Sequence, residues 1–136
     1  MKYQFPLDIA LIDDEADILE LTNMAVNQLD ELNPICFTNP QEALETIIEK
    51  KIRIICTDLI MPVMTGTQIL EESKQFEWNT DIIVLTGLEQ LETAAECFDA
   101  GAREVLIKPI ETNRLLNSIR RIIERYEIWH KTYEKL

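Results

Sequence analysis

Short apolar runs alternate with helix-patterned segments along this chain, and this alternation constrains the fold more than any other feature. The runs suited to buried strands cover residues 9–12, 35–37, 52–56, 82–85 and 104–107. They are rich in Ile and Val and do not alternate cleanly between apolar and polar side chains, which is typical of parallel strands covered on both faces. Because right-handed crossovers place helices on both sides of such a sheet, the pattern predicts an α/β three-layer αβα sandwich.

Helices are predicted wherever apolar residues recur at intervals of three or four. The first helix follows "DDE" and is predicted from residues at helix spacing: Ile18, Leu21, Ala25 and Leu29. The second follows Asn39-Pro40, a favourable N-cap with proline at the first helical position. Further helices are predicted over residues 66–75, 90–100 and from 112 onward.

Polar residues stand at the ends of four of these apolar runs. They are Asp13-Asp14, Thr57-Asp58, Thr86-Gly87 and Lys108-Pro109. In open α/β sheets, the carboxyl edge of the strands is where ligands bind. If the first and third strands are neighbours, three carboxylates crowd one crevice. Taken singly, each residue also has a structural explanation: the acidic pair could cap a helix, Thr86 could cap a turn and Lys108 could be a solvated surface residue.

Three crowded carboxylates are costly unless a cation is present or one of them is protonated. Oxygen ligands without His or Cys suit a hard ion, and Mg²⁺ takes one or two carboxylates together with waters and phosphate oxygens. A lysine and a threonine hydroxyl at the same edge would complete a site for a phosphoryl group. In such a site Asp58 would be a nucleophile that forms an aspartyl phosphate, and Mg²⁺ would offset the developing charge.

The composition argues against several other classes of protein. The length of 136 residues suits one domain, and the net charge of −12 argues against binding to nucleic acid or to an anionic membrane. No apolar run approaches the roughly 20 residues of a membrane span, and the N-terminus lacks a signal-peptide pattern, so we expect a cytoplasmic location. Three cysteines without a CxxC pair, and a single histidine, argue against a zinc site or a disulfide framework.

Four segments together closely resemble the receiver domain of two-component response regulators. They are "LIDDE", "TDLIMPVMTG", "VLTG" and "GAREVLIKP", in the family's order and at its spacings, and the resemblance runs over about residues 7–124. It implies a flavodoxin-like sheet of five parallel strands in the order 2-1-3-4-5. The chain would then consist of a receiver domain over residues 1–125 and a C-terminal extension of the last helix over residues 126–136.

The resemblance also implies a role for each polar residue at the strand ends. Asp58 matches the phosphoacceptor, Thr86 the switch hydroxyl that moves toward the phosphoryl group, and Lys108 the cation that contacts it. The implied ligands of Mg²⁺ are Asp13, Asp14, Asp58 and the backbone carbonyl of Ile60. Receivers usually make the Lys-Pro bond cis, so we expect a cis bond between Lys108 and Pro109.

The function implied by the resemblance is a phosphorylation-dependent signalling switch. A sensor histidine kinase or a phosphotransfer protein would donate a phosphoryl group to Asp58, and the chain would assist only its own phosphorylation and dephosphorylation rather than act as an enzyme on an external substrate. The alternative is a receiver-like interaction module that never needs phosphate. A phosphohydrolase of the haloacid dehalogenase type would need a second Asp where Ile60 stands, and a flavodoxin would need a phosphate-binding loop in place of "DDEAD".

Three positions bear on signal output and on the lifetime of the phosphorylated state. Val105 stands where receivers usually carry Tyr or Phe, so the usual movement of an aromatic ring is missing, and this keeps the phosphate-independent alternative open. Ile60 and Leu88 stand where side chains of the family flank the path of the attacking water. Both are bulky and apolar, so we predict slow loss of phosphate from Asp58.

The last predicted helix continues past the usual end of a receiver, near Arg125, without a Gly or Pro to stop it. Its apolar residues form one stripe: Ile119, Ile122, Tyr126, Trp129 and Tyr133. Because a receiver core offers little to cover this stripe beyond residue 125, we predict that it contacts a second copy of the chain or a downstream protein. The other interpretations are the start of a linker to an output domain, and a tail that frays or folds back.

Overall fold

Strands and helices occur in the order that the apolar pattern predicts. A computed structural model describes residues 4–87 and 91–134. The strands are β1 (Leu7–Ile12), β2 (Leu32–Phe37), β3 (Ile54–Asp58), β4 (Asp81–Thr86) and β5 (Glu104–Ile107). The helices are α1 (Ala16–Val26), α2 (Pro40–Lys50), α3 (Gly66–Ser73), α4 (Leu91–Asp99) and α5 (Thr112–Glu134).

The strands form one parallel sheet in the order β2-β1-β3-β4-β5. β1 therefore lies between β2 and β3, and Ile12 near the end of β1 is paired with Thr57 near the end of β3. The predicted flavodoxin-like three-layer fold is confirmed. The order of the strands reverses between β1 and β3, which is the place where sheets of this kind bind ligands.

Two apolar cores, one on each face of the sheet, hold the three layers together. Because successive side chains of a strand point to opposite faces, Ile9 and Leu11 enter the first core, and Ala10 and Ile12 enter the second. The first core is covered by α1 and α5, and the second by α2, α3 and α4. Each of these four β1 residues is at most 1% exposed, which explains why the strand appears in the sequence as a continuous apolar run.

Two helices begin at side chains that cap them. The side chain of Asn39 accepts hydrogen bonds from the N–H groups of Gln41 and Glu42, as the sequence predicts for the start of α2. Thr65 and Gln68 form a reciprocal capping box at the start of α3. This second cap fixes the point at which the loop after β3 ends.

The apolar stripe predicted for the first helix is only partly buried. Leu29 is buried, but it lies beyond the end of α1, so its predicted place in the helix was wrong. Ala25 is also buried and Ile18 is half-buried, whereas 67% of Leu21 is exposed. Leu19 takes a core position instead, because α1 carries two overlapping apolar stripes and the neighbouring one faces the sheet. The outer surface of α1 is therefore apolar where Leu21 lies.

The second strand is longer than its apolar run. β2 begins at Leu32, three residues before the predicted start, and includes Asn33 and Pro34. It lies at the edge of the sheet, where proline is tolerated because one side of the strand needs no ladder hydrogen bonds. The helix predicted over residues 90–100 is observed as α4, and residue 90 lies outside the described residues.

The apolar stripe of α5 divides into a buried and an exposed part. Ile119, Ile122 and Tyr126 are buried in the first core, whereas 60% of Trp129 and 39% of Tyr133 are exposed. The stripe thus leaves the core between Tyr126 and Trp129. Although α5 has 23 residues, neither it nor another helix in the described part of the chain is apolar enough over a sufficient length to cross a membrane.

Candidate functional site

Three aspartates converge at the carboxyl edge of the sheet. Asp13 follows β1 and Asp58 ends the neighbouring β3, so the pairing of these strands brings the two side chains together. One carboxylate oxygen from each of Asp13, Asp14 and Asp58 lies within 4.8 Å of the others. Asp13 is 3% exposed and Asp58 is 8% exposed, whereas Asp14 is open to solvent. The structure therefore brings together all three carboxylates that the sequence predicted.

Both buried carboxylates are oriented by backbone N–H groups. Oδ1 of Asp13 accepts a hydrogen bond of 2.9 Å from the N–H of Glu15, and Oδ1 of Asp58 accepts one of 2.8 Å from the N–H of Leu59. The second oxygen of each carboxylate contacts Lys108. One oxygen of each side chain is thus fixed by the backbone, while the other contacts the ammonium group of Lys108.

Lys108 lies between the two buried carboxylates. Its Nζ atom is 3.1 Å from Oδ2 of Asp13 and 3.3 Å from Oδ2 of Asp58. Its backbone N–H donates a hydrogen bond of 2.7 Å to the carbonyl of Thr86, which holds the end of β5 beside the end of β4. The bond between Lys108 and Pro109 is cis, as predicted.

The charges at this edge alter the acidity of the groups that carry them. Burial raises the pKa of Asp58; Lys108 lowers it, Asp13 raises it again, and the net direction is upward. Burial lowers the pKa of Lys108, but the hydrogen bond and the charge of Asp13, together with Asp58, outweigh burial and raise that pKa. Lys108 is therefore a fixed positive charge. Since it compensates Asp58 incompletely, that carboxylate would be stabilised by a further cation.

Two residues to which the sequence assigned no role hold the backbone around Asp58. The buried hydroxyl of Thr57 donates a hydrogen bond of 2.9 Å to the carbonyl of Asp58. The N–H of Gly66 donates one of 2.8 Å to the carbonyl of Leu59, and a Cβ atom on Gly66 would lie 2.6 Å from the Asp58 carbonyl oxygen. The glycine of "TDLIMPVMTG" is a signal for such a close approach, but its contact across the loop depends on the path of the loop.

The remaining predicted residues surround this cluster at different depths. Thr86 ends β4 and is 1% exposed, and it is paired with Ile107 of β5. Ile60 lies two residues after Asp58, and 60% of its side chain is exposed. Val105 is half-buried and packs against the second core, while Leu88 lies outside the described residues.

The donor set of the three aspartates suits Mg²⁺. All the converging ligand atoms are carboxylate oxygens, which hard divalent cations prefer. They lie close enough to reach one ion, and the incomplete compensation of Asp58 favours a second positive charge there. The residues present therefore fit the ion that the sequence predicted.

Comparison with known proteins identifies the family. The family model described as "Response regulator receiver domain" matches residues 9–120. The chain belongs to this family. The predicted resemblance is confirmed, and the receiver domain accounts for most of the chain.

Curated relatives match the receiver domain over different shares of their own lengths. The chain is 28% identical to the regulatory protein AtoC of Escherichia coli over 116 residues. These residues make up 85% of this chain and 25% of AtoC. The chain is 31% identical to the chemotaxis protein CheY of Thermotoga maritima over 85 residues, and these residues make up 62% of this chain and 71% of CheY. The chain thus spans about a quarter of the length of AtoC.

A solved structure supports the same fold. The response regulator receiver domain protein from Clostridium thermocellum has 30% sequence identity and a TM-score of 0.81, and the match covers 90% of this chain and 98% of that one. The protein is accordingly a receiver domain of the two-component response regulators, as the sequence predicted, and a role as a phosphorylation switch is consistent with this family. Domains of this family are switches rather than conventional enzymes, and they bind Mg²⁺ at an acidic aspartate cluster.

Proposed function

We propose that Asp58 is the phosphoacceptor of this receiver and that its donor is the phosphohistidine of a sensor kinase or a phosphotransfer protein. The observation that carries the proposal is the position of the Asp58 carboxylate, which is oriented by the N–H of Leu59 and lies beside Lys108, Asp13 and Asp14. An oxygen of Asp58 would attack phosphorus, the P–N bond of the donor would break, and its electron pair would return to the imidazole nitrogen.

The other residues would bind and orient the transferred group. Asp13, Asp14, Asp58 and the carbonyl of Ile60 would hold Mg²⁺, which when bound offsets the negative charge of the phosphoryl oxygens. Lys108 would exchange its contact with Asp58 for a contact with a phosphoryl oxygen, since both oxygens are anionic. The hydroxyl of Thr86 would donate a hydrogen bond to another phosphoryl oxygen.

The test is phosphorylation by a small donor. The protein is incubated with Mg²⁺ and acetyl phosphate, quenched in acid and measured by intact mass. One added phosphoryl group is expected, and it is lost in Asp58→Asn and when EDTA removes the ion. The exposed Asp30→Asn is the matched control and should be phosphorylated as fully as the wild type. An adduct that persists in Asp58→Asn would contradict the proposal.

An apolar groove beside Lys108 supports a docking site for the donor protein. The groove has a volume of about 680 Å³ and runs between α1 and the start of α5. Leu21 and Met24 line the groove with 67% and 62% of their surfaces exposed, and Lys108 lines it as well. A helix of the donor seated there would place its phosphohistidine near Asp58.

Charge substitutions in this groove separate docking from chemistry. Leu21→Asp and Met24→Asp should slow phosphoryl transfer from a phosphorylated phosphotransfer protein, because an apolar helix would meet a charge. Transfer from acetyl phosphate should keep its rate. Ile48→Asp, an exposed position on α2, is the control for the added charge. Equal slowing with both donors would place the defect in the chemistry and refute docking at this groove.

The helical extension and the output are proposed on separate grounds. Residues 1–125 would form the switch, and residues 126–136 would contact a second copy or a downstream protein, as supported by the exposed Trp129 and Tyr133. The proposed compartment is the cytoplasm, as the family suggests.

A phosphate-independent module is the second candidate, and Val105 favours it because no aromatic ring is present there to relay the change. Failure of acetyl phosphate to modify the wild type would favour this candidate.

A further inference from the structure

A cleft at the amino edge of the sheet lies opposite to the phosphorylation site. It is bounded by the start of β4, the segment between α3 and β4, and the C-terminal half of α5. Its volume is about 440 Å³, which is within the range of small-molecule sites. Neither Asp58 nor the residues that surround it line this cleft, so the proposed phosphoryl chemistry gives it no role.

The cleft carries positive charge on an acidic chain. Three basic side chains and one acidic side chain line it, namely Arg53, Lys74, Arg125 and Asp81, which gives +2, whereas the chain carries −12. Nη1 of Arg125 is 3.1 Å from Oδ1 of Asp81, and Nε of Arg103 is 3.9 Å from the same oxygen. One carboxylate thus serves two guanidinium groups. Because 46% of the Arg125 side chain remains exposed, its planar fork of donors is accessible to an anion.

Aromatic side chains line the same cleft. The rings of Phe76 and Trp78 are stacked with centroids 4.6 Å apart, and Nε1 of Trp78 donates a hydrogen bond of 3.0 Å to the carbonyl of Ile52. This wall is therefore held in place before any ligand binds. α5 contributes the buried Tyr126 and the exposed Trp129 to the lining of the same cleft. Exposed indole rings stack well on other flat rings.

We propose that this cleft binds a small anion that carries a flat aromatic ring. The phosphate or carboxylate would pair with Arg125 and Arg53, and the ring would stack against Trp129 or Trp78. Nucleoside monophosphates and aromatic carboxylic acids share this chemistry. Since the cleft lies at the edge of the sheet away from Asp58, binding requires neither phosphorylation nor Mg²⁺.

The indole N–H signals in a ¹H–¹⁵N NMR spectrum report directly on this site, because both tryptophans of the chain line the cleft. The protein is titrated with adenosine monophosphate and, separately, with phenylacetate. Adenosine supplies a ring without the anion, and inorganic phosphate supplies the anion without the ring. Adenosine monophosphate, phenylacetate or both should shift the indole signals. The affinity should be at least about tenfold above that of the uncharged or ring-free counterpart.

Substitutions then locate the binding. Trp129→Ala should weaken binding about tenfold, as removal of a stacking ring does, with Trp78 as the remaining reporter. Arg125→Lys, which keeps the charge but loses the fork, should also weaken it. Ile128→Ala removes an exposed neighbour of Trp129 that does not line the cleft, and should bind as the wild type does. The proposal is overturned if neither charged aromatic shifts the indole signals, if phosphate alone binds equally well, or if Ile128→Ala weakens binding as much as Trp129→Ala.

Discussion

Ile60 exposes an apolar side chain two residues after the proposed phosphoacceptor. The water that hydrolyses an aspartyl phosphate must approach in line with the bond to Asp58. A branched apolar side chain, 60% exposed at this position, offers no hydrogen bond that would orient this water. Together with Leu88, whose side chain lies outside the described residues, it is the basis for expecting a long-lived phosphorylated state.

Ile60→Asn is therefore expected to speed the loss of phosphate. An amide that orients the water and stabilises the transition state by about 1.4 kcal/mol gives about a tenfold increase in rate, and adding Leu88→Glu should increase it further. The decay of phosphorylated protein is followed by intact mass after the donor is removed. Ile48→Asn makes the same change at an exposed position of α2 and should leave the lifetime unchanged. An unchanged lifetime in the double variant would refute this explanation.

The residues of the site differ in how far the sequence predicts them. Asp13 and Lys108 follow strands and Asp58 ends one. Because parallel strands that pair bring their ends together, the convergence of these residues could be predicted before any distance was known. The support given by Thr57 and Gly66 could not be predicted, since it depends on the path of the loop after β3. The position of Lys108 between two carboxylates likewise depends on side-chain geometry.

At the scale of elements, the loop between β3 and α3 passes the carbonyl of Asp58 too closely for a side chain on Gly66. Gly66→Ala should lower the free energy of unfolding by about 1–3 kcal/mol, because its Cβ would meet backbone atoms that cannot move aside. At Gly87 a Cβ would have no neighbour within 4 Å, so Gly87→Ala should change stability by less than about 0.5 kcal/mol. Urea unfolding measures both. Equal losses would show that the close approach is unimportant.

A second prediction for a single helix follows from the division of the α5 stripe into a buried and an exposed part. Ile119 is 0% exposed and Trp129 is 60% exposed, so Ile119→Ala should cost about 2–5 kcal/mol. Trp129→Ala should cost less than about 1 kcal/mol, although tryptophan is the larger residue. Urea unfolding of the two variants provides the comparison. A larger loss for Trp129→Ala would mean that the extension packs more tightly than its exposure indicates.

Periodicity predicts which segments form helices better than it predicts which face is buried. The positions of the strands followed from continuous apolar runs, which are typical of strands covered on both faces, whereas the order of the strands was implied by the resemblance to receiver domains. For α1, two overlapping stripes compete, and the choice of Leu19 over Leu21 is made by the shape of the sheet. For α5, the stripe continues in sequence beyond the point where the core ends. Both outcomes depend on which surface packs against the helix, and the spacing of apolar residues carries no information about that surface.

For the molecule as a whole, the excess of carboxylates links ion binding to stability. Mg²⁺ that binds only the folded protein should add about 1.4 kcal/mol to the free energy of unfolding at ten times its dissociation constant. Urea unfolding with and without the ion measures this gain. Asp13→Asn combined with Asp14→Asn should abolish the gain, and Asp30→Asn should keep it. An equal gain in the double variant would show that the ion binds to another part of the acidic surface.

Phosphorylation of Asp58 would be one covalent event at one residue of the 136, and mapping that residue is the most direct test. The protein is phosphorylated with acetyl phosphate and Mg²⁺, reduced with borohydride, which converts aspartyl phosphate to homoserine, and digested with trypsin. The peptide of residues 54–74 contains Asp58 and no other aspartate. Homoserine at position 58, absent when EDTA is present, is the predicted result. Homoserine in any other peptide, or none in a protein that has gained the mass of a phosphoryl group, would contradict the assignment of Asp58.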